Sequence, residues 1–104
     1  MDKDAFFSAI GLKSTVAQVP GTEMEITLRE LSAGQREKMI TAAKDQGIHT
    51  MSAMTVAMSC PDLNDDDYKR LLDEVNPEAL LELSQKVYEI SSLSTEARKE
   101  AKKG

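Results

Sequence analysis

Met24-Glu25-Ile26-Thr27-Leu28-Arg29-Glu30-Leu31-Ser32-Ala33-Gly34-Gln35-Arg36-Glu37-Lys38-Met39 decides how this chain folds. Met24, Ile26 and Leu28 alternate with Glu25, Thr27 and Arg29, the period of two of a half-buried strand. The strand then hands directly into a helix. Ser32 is placed to accept from the free amides of the first turn, and Gln35, three residues on, is placed to reach back. Leu31 and Arg36 occupy the two positions of a hydrophobic staple, and the aliphatic stem of Arg36 is only a partial substitute for an apolar side chain there.

Working outward, Leu12 to Val19 reads as a first strand, with Thr15, Ala17 and Val19 on one face. Pro20-Gly21 has the type II turn preference, which suits a loop slightly wider than two residues. Two strands alone are marginal. Either a helix covers one face, or the edges pair with another chain. Ahead of the hairpin, Asp2 to Ile10 is expected to form a short helix stopped by Gly11. Phe6, Phe7 and Ile10 share its side. So short a helix needs docking, first on this domain's core and otherwise on a neighbouring subunit.

Downstream the chain reads as helices. Ala33 to Gln46 has Arg36, Met39, Ile40 and Ala43 as its inner side and Gly47 as its stop. Ile48 to Cys60 carries no charged side chain, as befits a helix buried in the middle of a fold. Met51, Met54 and Met58 share one of its faces, either as core filler or as an adaptable binding surface. Pro61 breaks this helix. Asn64 is expected to cap the next, whose apolar side is Tyr68, Leu71, Leu72 and Val75. Asn76-Pro77-Glu78 is another start signal, for a helix to about Ser91 with Leu80, Leu83, Val87 and Ile90 inside and Leu81 and Tyr88 widening the stripe. Ser94 is expected to cap a last, charged helix to about Lys103.

The expected class is α+β, mostly α, with an N-terminal β-hairpin packed on a small bundle of four to five helices. Residues 1–93 form one globular domain and 94–104 a charged C-terminal helix or tail. A chain of 104 residues suits that size. It has no Trp, and only Phe6, Phe7, Tyr68 and Tyr88 are aromatic, so the core must be aliphatic.

Charge and composition narrow the function classes. Asp62 to Glu78 holds seven acids against Lys69 and Arg70, a local charge of −5 that equals the whole-chain value, and the rest balances. That removes the basic footprint of a nucleic-acid binder. No apolar run approaches a membrane span, and Met1-Asp2-Lys3-Asp4 lacks the layout of a secretion signal. A lone Cys60 fits a reducing compartment.

Sites for chemistry are sparse. Asp62, Asn64 and Asp66 match the first ligand positions of a calcium loop, with Asp73 at the last. Asp67 stands where that loop needs glycine, and Asp73 is shorter than the bidentate Glu, so an acidic helix start is the better account. His49 and Cys60 are the only residues of their kinds, and a nucleophile pair of them would lack an orienting third group. No phosphate loop, dinucleotide fingerprint or zinc spacing occurs. The expectation is a protein that is not an enzyme and uses no cofactor and no metal.

Three stretches resemble a known family: Leu28-Arg29-Glu30-Leu31-Ser32-Ala33-Gly34-Gln35-Arg36, Val56-Ala57-Met58-Ser59 and Val87-Tyr88-Glu89-Ile90-Ser91. With the order hairpin, junction, apolar helix, acidic turn and Leu-rich helix, they look like the tail assembly chaperones of long-tailed, siphovirus-type phages and prophages. Some members carry a longer insert between the first two helices and a longer tail. The resemblance implies a protein that acts in the host cytoplasm and is absent from the mature virion. It implies partners, too: the tape measure protein, which it keeps soluble, and tail tube subunits, which it helps recruit. Self-association is expected, with no nucleic acid and no membrane. A longer product made by ribosomal frameshifting is also implied, and Lys102-Lys103 is a candidate slip region. Under this resemblance Met51, Met54 and Met58, with Leu80, Leu83 and Val87, are the expected partner-binding or self-contact residues. The rival expectations are a structural tail-completion or head–tail connector subunit that uses the hairpin as an assembly edge, and a regulatory binding module unrelated to phage.

Overall fold

The structure, a computed structural model, describes the backbone of residues 1–103 and the side chains of residues 1–90. The order is α1 (Lys3–Ala9), β1 (Ser14–Gln18), β2 (Glu25–Arg29), α2 (Ala33–Ala43), α3 (Ile48–Ser59), a 3-10 turn (Asp65–Asp67), α4 (Tyr68–Glu74) and α5 (Pro77–Lys103). This is the α+β, mostly helical class that the sequence pattern demands, with the hairpin at the N-terminal end.

The hairpin is antiparallel, with Ser14 opposite Arg29 and Gln18 opposite Glu25. Its loop is a type II turn inside a wider closure. The Thr22 N–H donates to the Val19 carbonyl at 3.0 Å, and the Val19 N–H to the Met24 carbonyl at 2.8 Å. Gly21, at φ 77°, takes the left-handed position that the turn requires. One sheet face packs on α5 and α3. Ala17 and Leu28 are buried there and Ile26 half-buried, while Val16 and Met24 stay exposed.

Ser32 caps α2 as its sequence requires. The Gln35 N–H donates to Ser32 Oγ at 3.1 Å, and the Ser32 N–H donates to Gln35 Oε1 at 2.9 Å. Two parts of the expectation for α2 are corrected. Its inner side is Met39 and Ala43, four apart, whereas Arg36 and Ile40 face outward. It also stops at Ala43 rather than Gln46. There Lys44 and Asp45 form a type II turn, Asp45 takes φ 69°, and the Gln46 N–H donates to the Ala43 carbonyl at 2.9 Å. Gly47 therefore opens α3 instead of closing α2.

α3 is the central helix, packed against α2, α4, α5 and β2. Its lack of charge follows from that position, because a charged side chain there would be desolvated without a partner. Ser52, Thr55 and Ser59 are buried in it, and among the described residues no buried side-chain polar atom lacks a hydrogen bond. α5 starts where Asn76-Pro77 places it, with the Glu78 and Ala79 amides donating to Asn76 Oδ1 at 2.9 and 3.1 Å. Leu80, Leu83, Val87 and Ile90 form its buried stripe, while Tyr88 is exposed. Its backbone stays helical through Lys103, so Ser94 lies inside one helix rather than at the start of another. No Gly or Pro occurs in 91–103 to stop it. The side chains of the expected charged tail lie outside the described residues.

The docking of α1 on this domain's core is also corrected. Phe6, Phe7 and Ile10 are 44, 59 and 66% exposed, and α1 has no buried residue. Asp2 caps it through the Asp4 amide at 3.1 Å, and the two Phe rings meet edge to face at 5.6 Å between centroids. Two adjacent aromatics on a seven-residue helix satisfy each other locally without reaching the core.

Candidate functional site

The six residues singled out for partner binding come together, but inside the molecule. Met54, Leu80, Leu83 and Val87 belong to the core cluster, and Met51 and Met58 pack against it half-buried. α3 and α5 pack on each other, with Thr55 Oγ1 of α3 3.4 Å from the Tyr88 hydroxyl of α5, while Met54 lies beside Tyr68 and Leu72 of α4. Four of the six are buried within this chain, and Met51 and Met58 keep part of their surface exposed. Helical spacing of three and four residues groups them on shared faces; it carries no information on whether such a face meets this chain or another.

His49 and Cys60 lie at opposite ends of α3, and eleven residues of helix set them about 16 Å apart. His49 is exposed and Cys60 is buried beneath the end of the helix. The pair is therefore not assembled. The acidic segment is arranged as a helix start: Asp67 accepts the Asn64 amide at 2.8 Å, within the 3-10 turn ahead of α4. Among the described residues no group of three or more His, Cys, Asp or Glu side chains is placed to hold a metal ion.

The exposed surface has two features of interest. A shallow groove of about 250 Å³ runs along the outside of α4, with Leu63, Leu71 and Val75 as its floor and Asp67, Arg70 and Glu74 at its rim. Arg70 Nε donates to Glu74 Oε2 at 2.8 Å. That hydrogen bond, with the attraction of the two charges, holds the Glu74 carboxyl below the usual range and the Arg70 guanidinium above its own. The second feature is the segment from α1 through β1. It leaves Phe6, Phe7, Ile10 and Val16 exposed in one short stretch of chain, whose strand partner among the described residues is β2. The sequence signalled it through a helix too short to stand alone and a hairpin without a third strand.

Comparisons with family models, curated proteins and solved structures return no match. Among the described residues no helix is long and apolar enough to cross a membrane.

Proposed function

We propose that this protein is a phage or prophage tail assembly chaperone. It binds the tape measure protein in the host cytoplasm, keeps it soluble, helps bring tail tube subunits to it, and leaves before the virion matures. The observation that carries this reading is the convergence of the three stretches that bear the resemblance. Ser59 hydrogen-bonds Arg29, and Gln35 Nε2 donates to the Met58 carbonyl at 3.2 Å, so the first two stretches are tied together. Val87 and Ile90 of the third stretch share the core cluster with Leu28, Leu31 and Val56. Family-like residues gathered at one structural junction support a shared architecture more strongly than scattered ones would.

The chemistry of the task fits the surface. A tape measure offers long apolar helical stripes, and a holding protein needs exposed apolar side chains on a stable body. Phe6, Phe7 and Ile10 supply such a set. Co-expression with a tape measure protein, a long helical chain, tests the reading. The long protein should stay in the soluble fraction, and the small protein should be missing from purified particles by mass spectrometry. A long protein that still precipitates overturns the chaperone. Stoichiometric presence in particles favours the connector alternative, to which the unpaired hairpin edge would lend itself.

A further inference from the structure

The two edges of the hairpin are built differently. The bonds from Val19 to Met24 and from Glu30 to Lys13 fix the hydrogen-bonded pairs at the hairpin's two ends. Stepping by two from either end, Thr15–Leu28 and Ala17–Ile26 are the bonded pairs between them. The backbone groups of Ser14, Val16 and Gln18 therefore point away from β2, and those of Glu25, Thr27 and Arg29 point away from β1. On the β2 edge, Ser59 occupies the Arg29 groups, and Glu25 and Arg29 are charged. Charge and side-chain plugging are how proteins close an edge. The β1 edge has neither. Ser14-Thr15-Val16-Ala17-Gln18 contains no charge and no proline, and Ser14, Val16 and Gln18 are all exposed.

We propose that the β1 edge joins two copies of this chain, β1 against β1, antiparallel and centred on Val16. The strand is self-complementary in that register. Val16 meets Val16 of the second copy, and Ser14 meets Gln18, so no charge opposes a like charge and about six backbone hydrogen bonds form. The product is a four-stranded sheet with both helical layers on one side, which removes the weakness of a two-stranded ribbon. A five-residue strand falls short of the ~1,200 Å² of a stable interface. The contact therefore belongs to the weak, concentration-dependent class. The contact is isologous and closes as a dimer. It gives a specific register to the self-association expected from the sequence, without depending on the tape measure.

A charge-swap at the two-fold position tests this. Sedimentation or light scattering over a concentration series should give twice the 11.4 kDa of one chain. Val16→Lys and Val16→Glu, each alone, should weaken the dimer by about tenfold or more, because like charges then face each other. Mixing the two should restore a dimer containing one of each. Val16→Pro should also give a monomer that remains folded by circular dichroism, since the lost N–H makes no bond to β2. Thr27→Lys, on the same sheet face but on the other strand, should leave the dimer intact. A monomer in the unaltered chain overturns the proposal, as does a dimer indifferent to Val16→Lys or a mixture that fails to pair. Tape measure solubility is a separate readout, so either idea can fail while the other stands.

Discussion

Ser59 does for Arg29 what a neighbouring strand would do. Its hydroxyl accepts the Arg29 N–H at 3.0 Å and donates to the Arg29 carbonyl at 2.6 Å, closing the outer edge of β2 from the end of α3. Ser59 is 1% exposed, so water cannot take its place. Ser59→Ala should therefore destabilise the fold by about 1–2 kcal/mol, the cost of losing two hydrogen bonds to a part-buried backbone. Urea unfolding followed by circular dichroism measures it. Thr27→Ala, exposed two residues earlier on the same strand, should stay within ~0.5 kcal/mol. Equal effects at the two positions would remove the edge-closing role of Ser59.

Gln35 serves two partners at once. Its Oε1 accepts the Ser32 amide at 2.9 Å, and its Nε2 donates to the Met58 carbonyl at 3.2 Å. The cap of α2 is thereby coupled to the end of α3. Ser32→Ala should cost ~1 kcal/mol, typical of a lost N-cap. Gln35→Ala should cost more than a cap alone, because it also frees the Met58 carbonyl. In a double-mutant cycle the pair should show a coupling of at least ~0.5 kcal/mol, since both side chains belong to one network. Strict additivity in the measured unfolding free energies would mean that the box and the α3 link act independently.

The parts of the fold that rest on local chemistry were legible in the sequence. Ser32-Ala33-Gly34-Gln35 and Asn76-Pro77 each specify their helix start through bonds made within three residues, and Pro20-Gly21 specifies its turn in the same way. Features settled by distant packing were not. Ile40 has the right spacing for an inner face, yet it points outward because Met39 and Ala43 already meet the core. Gly47 is a natural helix stop, but Asp45 takes the left-handed position two residues earlier. The α3 and α5 stripes are legible as apolar faces, and only the tertiary arrangement places them in one core within this chain. The open β1 edge was visible as a hairpin lacking a third strand. Which of its two edges is closed depends on Ser59, thirty residues from Arg29 in sequence.

Burial of the α5 stripe yields a direct test of whether those residues are structural. Leu80 is 2% exposed and Val87 is 1% exposed. Leu80→Ala should cost about 2–5 kcal/mol, the transfer term plus the cavity left behind. Val87→Ala removes less side chain and should cost less than Leu80→Ala. Ile40→Ala, with the side chain already in water, should be within ~0.5 kcal/mol. Denaturant midpoints at a common slope would rank the three. A Leu80→Ala variant as stable as the parent would return that position to the list of free binding residues.

Arg70 and Glu74 make an exposed ion pair whose effect has a definite sign. The hydrogen bond from Arg70, reinforced by its charge, holds the Glu74 carboxyl below its ordinary range in the folded protein. A lowered carboxyl stabilises the fold above its unfolded pKa, and that contribution is lost as pH falls through the folded value. The window therefore lies on the acid side of the ordinary glutamate range. Solvent and salt screen so open a pair, and its contribution should shrink further at high ionic strength. An NMR titration should place the Glu74 midpoint below that of a free glutamate, and Arg70→Gln should move it back upward. The stability difference between Arg70→Gln and the parent should fade as acid protonates Glu74. A Glu74 midpoint indifferent to Arg70→Gln would show that the pair does not persist in solution.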